Sequence, residues 1–491
     1  MKPRHRRAFF LGALLLFTMI APVLILGASG YRYNFQEQVL VPTGTLILKS
    51  YPEGAQVLIN RQEETERTPA EIQGLLPARY TLEVSSEDFR PWRKEVEIQA
   101  NRITVEDQIL LIPRQIAVSS VLAKAIRIFA VSPDGRKLIY VRRQDAEEAE
   151  TLWLFDLESG EDRLLFPFSS DQRESLSIQD AIDRLLWRED GKGVAFSIST
   201  ARSTSGSKRY FILAFGEGEQ REKVFEWIPP EGGAADHWKW TKSGLSLFFM
   251  QGESLYRADH EKRSIKQVTP DRVQAYALDD HSIYFATAVP PALFRQDLLT
   301  GERTALAAPP IESVEGNAQA PLIDHLILSP EGKIALIDRH GILWLTEEAS
   351  SSAFLPVAAE VRAALFNEDG KRLLYQTKQG LFVYHLKEGE TLGGREAGSF
   401  ETVVRRKGTV IGPTWYSDQS HILYGAGDTV YITEIGGQGP PNSYPLFRIP
   451  GEAPQFSYHD PDQVTFLFRN RLYQADLAFG RAPSALLESR L

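Results

Sequence analysis

The sequence predicts an all-β protein in three parts: an N-terminal transmembrane helix, a small β-sandwich and an eight-bladed β-propeller. The helix is indicated by one long uncharged stretch near the N-terminus. The sandwich is indicated by short strands of period two between Thr45 and Pro113. The propeller is indicated by a pairing of an aliphatic with an aromatic residue, which recurs at intervals of roughly 40 to 60 residues from Leu152-Trp153 to Leu472-Tyr473.

The N-terminal segment has the features of a membrane anchor. The basic segment MKPRHRR precedes a stretch from Ala8 to Ala28 without a charged residue, close to the ~20 residues that a helix needs to cross a bilayer. The basic flank places the N-terminus in the cytoplasm. We therefore expect residues 1–30 to form a cytoplasmic tail and an anchor that contacts the lipid bilayer, and residues 31–44 a juxtamembrane linker. This predicts a single-pass protein of the cell membrane with the bulk of the chain extracytoplasmic.

A cleaved secretory signal is the alternative for this segment. Ala28-Ser29-Gly30 offers the small residues at which a signal peptidase cuts. The apolar region of a signal peptide usually spans ~7–15 residues, and the uncharged stretch here is longer. The length of the stretch therefore favours a retained helix.

Residues 45–113 are predicted to form the small β-sandwich. Its segments TLILKS, QVLIN, RYTLEVS, KEVEIQ and RITVEDQILLI are separated by turn residues at Pro52 to Ala55 and at Thr68-Pro69. The Pro-Glu-Gly-Ala tetrapeptide, with Phe89 and Trp92 further along, resembles the PEGA domain, a small β-sandwich found in surface and envelope proteins of prokaryotes. Two positions depart from that family, with Pro77-Ala78 in place of Pro-Gly and Asp88-Phe89 in place of Gly-Tyr. We interpret the prolines and glycine as turn residues and Trp92 as core.

Residues 114–491 are predicted to form the propeller. Turn signals such as Ser132-Pro133-Asp134-Gly135 and Glu368-Asp369-Gly370 precede short apolar strands, and the glycine supplies the positive φ that a tight hairpin needs. Eight such units indicate eight blades, since each four-stranded sheet covers the apolar face of its neighbour. Seven blades are the alternative, with an irregular unit near Asp279. The segment near Ile116 is expected to complete the last blade and close the ring.

The turn with a preceding aromatic position resembles the repeat of TolB-like propeller proteins. Trp187 and Trp240 occupy that position four residues before the turn glycine, and Phe366 occupies it in another unit. Recurrence at one repeat position is typical of packing. We therefore predict that both tryptophans are buried between blades and do not bind a ligand.

The composition excludes several classes of protein. The formal net charge of the chain is −9, which opposes the basic face that nucleic-acid binding requires, so no nucleic acid is expected as a partner. The chain contains no cysteine, which excludes disulfides and thiolate metal sites. The fold must therefore be stabilised by packing.

No catalytic, metal or cofactor site is predicted from motifs. The sequence lacks a G-x-S-x-G elbow and a phosphate-binding loop. Histidines such as His237, His325, His421 and His459 are scattered without the spacing of metal ligands. The acidic run at Asp145, Glu147, Glu148 and Glu150 is interpreted as a solvated hairpin loop, with calcium binding as the alternative.

Together these features predict a binding or scaffold protein of a prokaryotic cell envelope that is not an enzyme. Resemblance to envelope proteins with the same parts implies a protein or a cell-wall polymer as the partner. Longer polar insertions, among them residues 387–402 and 436–444, are expected to contribute to binding if they lie on the end that binds. A carbohydrate-active enzyme with carboxylates at the channel mouth and a TolB-like component of a translocation complex are the alternatives. The binding residues, the binding face and the oligomeric state cannot be predicted from the sequence.

Overall fold

One helix and 43 strands make up the regular structure of the residues that the structure describes. The structure is a computed structural model, and it describes residues 3–28, 30–34, 38–142, 150–166, 181–199, 208–215, 223–230, 233–307, 312–314, 317–319, 322–346, 353–387, 396–405, 409–451, 455–459 and 462–479. The prediction of an almost purely β protein beyond the N-terminal segment is confirmed.

The N-terminal segment forms helix α1 (Pro3–Ala28), followed by a hairpin of β1 (Tyr31–Asn34) and β2 (Val39–Pro42). Within the part of the chain that the structure describes, no helix combines the length and the apolar character of the ~20 residues that cross a bilayer. The predicted transmembrane anchor and the predicted single-pass membrane localisation are therefore wrong.

The small β-sandwich consists of two sheets. Its strands are β3 (Gly44–Tyr51), β4 (Gln56–Ile59), β5 (Gln62–Arg67), β6 (Ala70–Leu75), β7 (Ala78–Ser85), β8 (Trp92–Ile98) and β9 (Ile103–Leu110). One sheet has the order β6-β3-β9, with β3 and β9 parallel, and the other has the order β5-β4-β7-β8. Buried and exposed residues alternate along β8, as period two requires. Trp92 is only 1% exposed, which confirms its predicted place in the core.

Residues 118–476 contain eight four-stranded antiparallel sheets among the described residues. Strand β10 (Val118–Leu122) comes first in the chain. Sheet I consists of β11 (Ile126–Val131), β12 (Lys137–Arg142), β13 (Thr151–Asp156) and β14 (Asp162–Phe166), and sheet II of β15 (Ala181–Trp187), β16 (Gly193–Ser199), β17 (Lys208–Ala214) and β18 (Lys223–Trp227). Sheet III consists of β19 (Asp236–Trp240), β20 (Ser246–Gln251), β21 (Ser254–Asp259) and β22 (Ser264–Gln267). Sheet IV consists of β23 (Val273–Leu278), β24 (Ser282–Ala288), β25 (Pro291–Asp297) and β26 (Arg303–Ala307).

A short hairpin separates these from the last four sheets. It consists of β27 (Glu312–Val314) and β28 (Asn317–Gln319). Sheet V consists of β29 (Ile323–Leu328), β30 (Ile334–Asp338), β31 (Leu343–Thr346) and β32 (Phe354–Ala358), and sheet VI of β33 (Val361–Phe366), β34 (Arg372–Thr377), β35 (Gly380–His385) and β36 (Phe400–Arg405). Sheet VII consists of β37 (Val410–Trp415), β38 (His421–Ala426), β39 (Thr429–Glu434) and β40 (Ser443–Arg448). Sheet VIII consists of β41 (Phe456–His459), β42 (Gln463–Phe468), β43 (Arg471–Asp476) and β10.

Strand β10 joins the two ends of this array. It pairs antiparallel with β43 and so completes sheet VIII with strands from the far end of the chain. The segment near Ile116 thus completes the last sheet, as predicted. The first strands of neighbouring sheets contact one another, including β11 with β15, β23 with β29, β29 with β33 and β37 with β41. These innermost strands line the central channel of a propeller.

The repeated turns explain how each sheet packs against the preceding one. Gly135, Gly191, Gly244 and Gly370 have φ near +68°, the conformation predicted for the turn glycine. Trp187 and Trp240 are 6% and 5% exposed, and each indole N–H donates to a main-chain carbonyl of the preceding innermost strand, at Ala130 and Leu186 respectively. The predicted burial of both tryptophans between sheets is confirmed.

The two ends of the propeller differ in the elements that they carry. Because successive strands are antiparallel, the turns between first and second strands and between third and fourth strands lie at one end, here called the turn end. At the other end, the innermost strands of sheets I to VI shift register against their second strands within their first few residues. We call it the bulge end, because a bulge places an extra residue there and turns its side chain.

Candidate ligand-binding site in the propeller channel

A cavity of about 190 Å³ lies in the channel among the innermost strands of sheets III to VI. Its polar lining comes from four sheets and consists of His237, Lys239, Tyr276, Asp324, His325 and Arg362. Its apolar lining includes Met250, Ala275, Leu326, Ile327 and Ile337. His237, Asp324, His325 and Arg362 stand among the first three residues of their strands, which places the charged part of the cavity toward the bulge end.

A bulge in β19 directs two side chains of sheet III into the cavity. The register against β20 shifts between Asp236 and Lys239, and His237 has a positive φ of 54°. The intervening Trp238 is buried, and its indole N–H donates to the Ala235 carbonyl at 2.9 Å. Because side chains alternate along a strand, His237 and Lys239 line the channel while Trp238 packs into the sheet.

Lys239 is a cation held by neutral groups. Its Nζ donates to the Tyr276 carbonyl at 2.8 Å and lies 5.2 Å from the centroid of the Tyr276 ring. Burial lowers the pKa of Lys239 because a low-dielectric surrounding disfavours the charged form. Within the described part of the chain, this buried ammonium has no ion-paired carboxylate.

Tyr276 fixes the geometry between sheets III and IV. Its side chain is buried, and its hydroxyl donates to the His237 carbonyl. Burial raises the pKa of Tyr276 well above its ordinary value, against a smaller opposing effect of Arg184. The phenol therefore stays neutral near pH 7, and it holds the β19 main chain at His237 while the Tyr276 carbonyl accepts from Lys239.

Sheets V and VI supply the remaining charged groups. Burial lowers the pKa of His325, and the neighbouring His237 and Lys239 act in the same direction while Asp324 opposes them. Asp324 Oδ1 lies 3.9 Å from Nε of the exposed Arg339. Arg362 is exposed to the channel at the second position of β33. The cavity thus contains two fixed cations, one carboxylate and two histidines.

The structure brings together two of the histidines that appeared scattered in the sequence. His237 and His325 line one cavity, whereas His421 contacts Asp418 at 2.7 Å and His459 contacts Thr465 at 2.8 Å within their own sheets. Among the described residues, no group of three or more His, Asp or Glu side chains is arranged to hold a metal ion. The two histidines of the cavity therefore belong to a mixed polar lining.

The acidic run of sheet I is only partly described. Asp145, Glu147 and Glu148 lie outside the described residues. Glu150 is buried, its carboxylate pairs with Arg127 at 2.5 Å, and it accepts the Ile182 N–H at 2.7 Å. The interpretation of Glu150 as a solvated loop residue is therefore wrong, because the side chain joins sheets I and II.

Sequence reasoning missed Lys239, Tyr276 and Arg362. They come from three different sheets and are up to 123 positions apart in the chain. Each stands in the innermost strand of its sheet, and this shared position is the signal that could have selected them. Polar residues of innermost strands face the channel, so aligning the repeats on their turn glycines would have grouped these positions.

A second cluster of charges lies between the sandwich and the turn end. Lys94 of β8 places Nζ 2.9 Å from Glu434 and 3.8 Å from Glu106, and all three residues are at most 7% exposed. The Trp92 indole donates to Glu434 at 2.7 Å, and the Asn442 N–H donates to the same carboxylate at 3.0 Å. Every charge in this cluster has a partner of opposite sign.

The loop at residues 436–444 forms much of this contact. The Gln438 side chain exchanges two hydrogen bonds with the main chain of Glu97, and Asn442 Nδ2 donates to the Arg93 carbonyl at 3.1 Å. Gly437 has φ +68°, and a Cβ there would lie 2.7 Å from Lys94 Nζ, so only glycine fits. This insertion therefore packs against the PEGA domain at the turn end, and its part in a binding face stays a prediction. Half of the other insertion, residues 388–395 of 387–402, lies outside the described residues.

Comparison with known proteins gives one family match and several similar solved structures. Residues 43–110 match the PEGA domain family. The chain is similar to the C-terminal WD40 domain of Sif2, at 11% identity and a TM-score of 0.48, over 74% of this chain and 98% of that one. It is also similar to the β-propeller domain of Cps50 (Swd1) from Myceliophteria thermophila, at 11% identity and a TM-score of 0.40, over 73% and 99% of the two chains.

An oligogalacturonate lyase in complex with manganese is a further similar structure, at 15% identity and a TM-score of 0.39, over 59% of this chain and 87% of that one. No curated protein sequence matches the chain. The family match and the radial array of four-stranded sheets lead to one conclusion. The chain contains a PEGA domain at residues 43–110 that is followed by a β-propeller.

Proposed function

We propose that this protein is a binding and scaffold protein that presents the bulge end of its propeller to a macromolecular partner, either a protein or a cell-wall polymer. The observation that carries the proposal is the contrast between the two ends. The turn end is occupied at sheets VII and VIII by the PEGA domain through Lys94, Glu434 and Glu106. Among the described residues, Arg362 and Lys239 line the channel without an ion-paired carboxylate, Arg362 toward the bulge end and Lys239 deeper, at the fourth position of β19. A partner therefore meets unneutralised charge at the bulge end.

The contact between the domains supports a scaffold role. In addition to the ion pairs, Leu110 and Ile112 pack against Tyr416 and other apolar residues of sheets VII and VIII. Arg90 also donates to the Pro445 carbonyl at 2.8 Å. A contact with a packed core and matched hydrogen bonds holds two domains in one orientation. The PEGA domain would thereby fix the direction in which the propeller faces its partner.

We further propose that the eight sheets are the eight blades of one closed ring with the TolB-like type of repeat. Closure by β10 and the contact of β11 with β41 support this arrangement. The unit near Asp279, which was the candidate for an irregular blade, has the same four-stranded order as the others. A role like that of TolB in an envelope assembly is a special case of the same proposal.

Binding without turnover is favoured over catalysis by the contents of the cavity. Hydrolysis of glycosidic bonds normally needs a pair of carboxyl groups on either side of the bond. Among the described lining residues of the channel cavity, Asp324 is the single carboxylate. We therefore propose that the protein is not an enzyme.

Calorimetric titration of the full chain with soluble cell-wall fragments tests this function. Saturable binding is expected, with fragment masses unchanged after prolonged incubation when measured by mass spectrometry. Lys239→Met should weaken binding, whereas Lys242→Met should not, because Lys242 lies in the turn of the same hairpin at the turn end, exposed and paired with Asp280 at 3.1 Å. Shortening of the fragments would favour the enzyme, and equal losses in the two variants would contradict binding at the bulge end.

A further inference from the structure

We propose that the channel cavity is a carboxylate-binding pocket that receives one acidic group of the partner between Lys239 and Arg362. This inference rests on the proposed function and names the chemistry of its site. Both residues line the cavity from innermost strands of different sheets. A carboxylate between them would bind an ammonium and a guanidinium, and such charge-assisted hydrogen bonds are the strong ones.

The charge in the cavity fits a monoanion. Among the described lining residues, Lys239 and Arg362 contribute two positive charges, and Asp324, which lies 3.9 Å from Arg339, contributes one negative charge, so the lining carries a net positive charge. A carboxylate balances that charge. A phosphate dianion exceeds it and would meet the carboxylate of Asp324, and like charges at short range repel. The lining therefore discriminates by charge as well as by shape.

Desolvation has already taken place at Lys239. Lys239 Nζ contacts the Tyr276 carbonyl and ring, and burial lowers the pKa of this ammonium. A pre-positioned and poorly hydrated cation loses little hydration when an anion arrives. Tyr276 in turn is anchored by its hydrogen bond to the His237 carbonyl. The cation is thus prepared for a ligand with little rearrangement of the channel.

The size and the apolar part of the lining restrict what carries the carboxylate. The volume of about 190 Å³ is below the roughly 300–1,000 Å³ of pockets that enclose drug-sized ligands. Met250, Leu326 and Ile337 cover the apolar side. These dimensions suit one acidic residue at the end of a chain, with its short aliphatic or ring part against the apolar side chains.

The affinity should depend on pH through His325. His325 faces Asp324 on its own strand, His237 and Lys239 on β19, Tyr276 on β23 and Arg362 on β33. Protonation of His325 below neutral pH adds a positive charge to the cavity. Binding of a carboxylate should therefore strengthen as the pH falls from 7 toward 5, where the ligand itself is still ionised.

Calorimetry on the full chain tests the pocket with small probes. N-acetylglycine represents the carboxylate of a peptide and glucuronate that of an acidic sugar, while N-acetylglycine methyl ester and inorganic phosphate are the controls. At least one carboxylate should bind, the ester should not, and phosphate should bind more weakly. Loss of one charged hydrogen bond in Lys239→Met or Arg362→Met should weaken binding by about tenfold or more, while Lys242→Met should keep the wild-type affinity.

The outcomes separate the sources and the possible failures. Binding of N-acetylglycine alone identifies a peptide carboxylate, and binding of glucuronate alone identifies an acidic sugar. Equal binding of acid and ester, tighter binding of phosphate, or unchanged affinity in both folded variants overturns the pocket. If the small acids fail but wall fragments still bind in a manner that depends on the bulge end, the carboxylate pocket is wrong and the proposed function stands. Circular dichroism confirms the fold of each variant, and the exposed position of Arg362 keeps one test available if Lys239→Met does not fold.

Discussion

Two clusters of charged residues in this protein each contain a buried lysine, but the two lysines have different partners. Between the PEGA domain and the propeller, Lys94 contacts Glu434 and Glu106, and Glu434 also accepts hydrogen bonds from Trp92 and Asn442. In the channel, Lys239 is bonded to a neutral carbonyl. Both lysines lie on β-strands, and both ammonium groups lie in poorly hydrated surroundings.

The difference lies in whether the charges are neutralised within the chain. A buried ion pair with all its hydrogen bonds is complete, and removing one partner leaves a costly buried charge. A buried cation without a counter-ion is incomplete and gains from an arriving anion. Burial alone therefore does not distinguish a charged residue that stabilises the fold from one that binds a ligand. The two are distinguished by whether the charge has a partner of opposite sign within the protein.

The largest expected effect comes from breaking the complete cluster. Lys94→Met leaves Glu434 and Glu106 buried without their ammonium, and loss of one partner of a buried pair costs about 3–5 kcal/mol. We expect a loss of this size in the free energy of unfolding for the transition that includes the PEGA domain. Urea titration followed by tryptophan fluorescence measures it, because Trp92 is part of the contact.

The neighbouring residue on the same strand provides the matched control. Arg93 pairs with Glu83 at 2.9 Å, but its side chain is largely exposed, and surface pairs contribute little. Arg93→Met should therefore leave the unfolding transition almost unchanged. Equal destabilisation by the two variants would mean that burial and pairing at Lys94 are not the cause.

A smaller effect on stability is expected in the channel. Lys239→Met removes one hydrogen bond to the Tyr276 carbonyl but also removes a desolvated charge. These contributions oppose each other, so the free energy of unfolding should change by no more than about 1 kcal/mol. The same urea titration measures it for the wild type and the variant. A loss as large as that of Lys94→Met would show that Lys239 is structural, and the contrast between the two clusters would fail.

The sequence was sufficient for the sheets because each sheet is built from local signals. The turn glycines before β12, β16, β20 and β34 place the hairpins, and the apolar runs after them place the second strands. Sheet VII is the instructive exception. Gln419 takes the positive φ of 58° at its turn, so the glycine signal is absent there. Trp415 donates to the Leu365 carbonyl just as Trp187 and Trp240 do in their sheets, and this equivalence was not predicted.

The two clusters could not be predicted because they depend on contacts between distant residues. Lys94 and Glu434 are 340 positions apart, and the loop that joins them was interpreted as a free polar insertion. Lys239 and Arg362 meet only because the sheets are arranged around one channel. Strand periodicity indicates which residues face inward, but the partner of an inward charge is decided by the packing of whole sheets.

The smallest expected effect separates the two carboxylates of the complete cluster. Burial raises the pKa of Glu106, against the opposing effects of Lys94 and of the Gln438 N–H. A raised pKa in the folded state means that folding is favoured below the unfolded pKa and that this contribution is lost as the pH rises through the folded pKa. Glu106→Gln should therefore match the wild type in stability near pH 4 and exceed it slightly near pH 7.

Glu434→Gln is the matched variant for that measurement, because Glu434 is the closer partner of Lys94 and the acceptor of the Trp92 indole. It should destabilise the protein at pH 7, opposite in sign to Glu106→Gln. Urea titrations at pH 4 and pH 7 on both variants provide the comparison. If Glu106→Gln were destabilising at pH 7 and neutral at pH 4, the ionised form of Glu106 would be the stabilising one. The cluster would then need both carboxylates in their charged form. The distances instead indicate that Glu434, the closer of the two, balances Lys94 by itself.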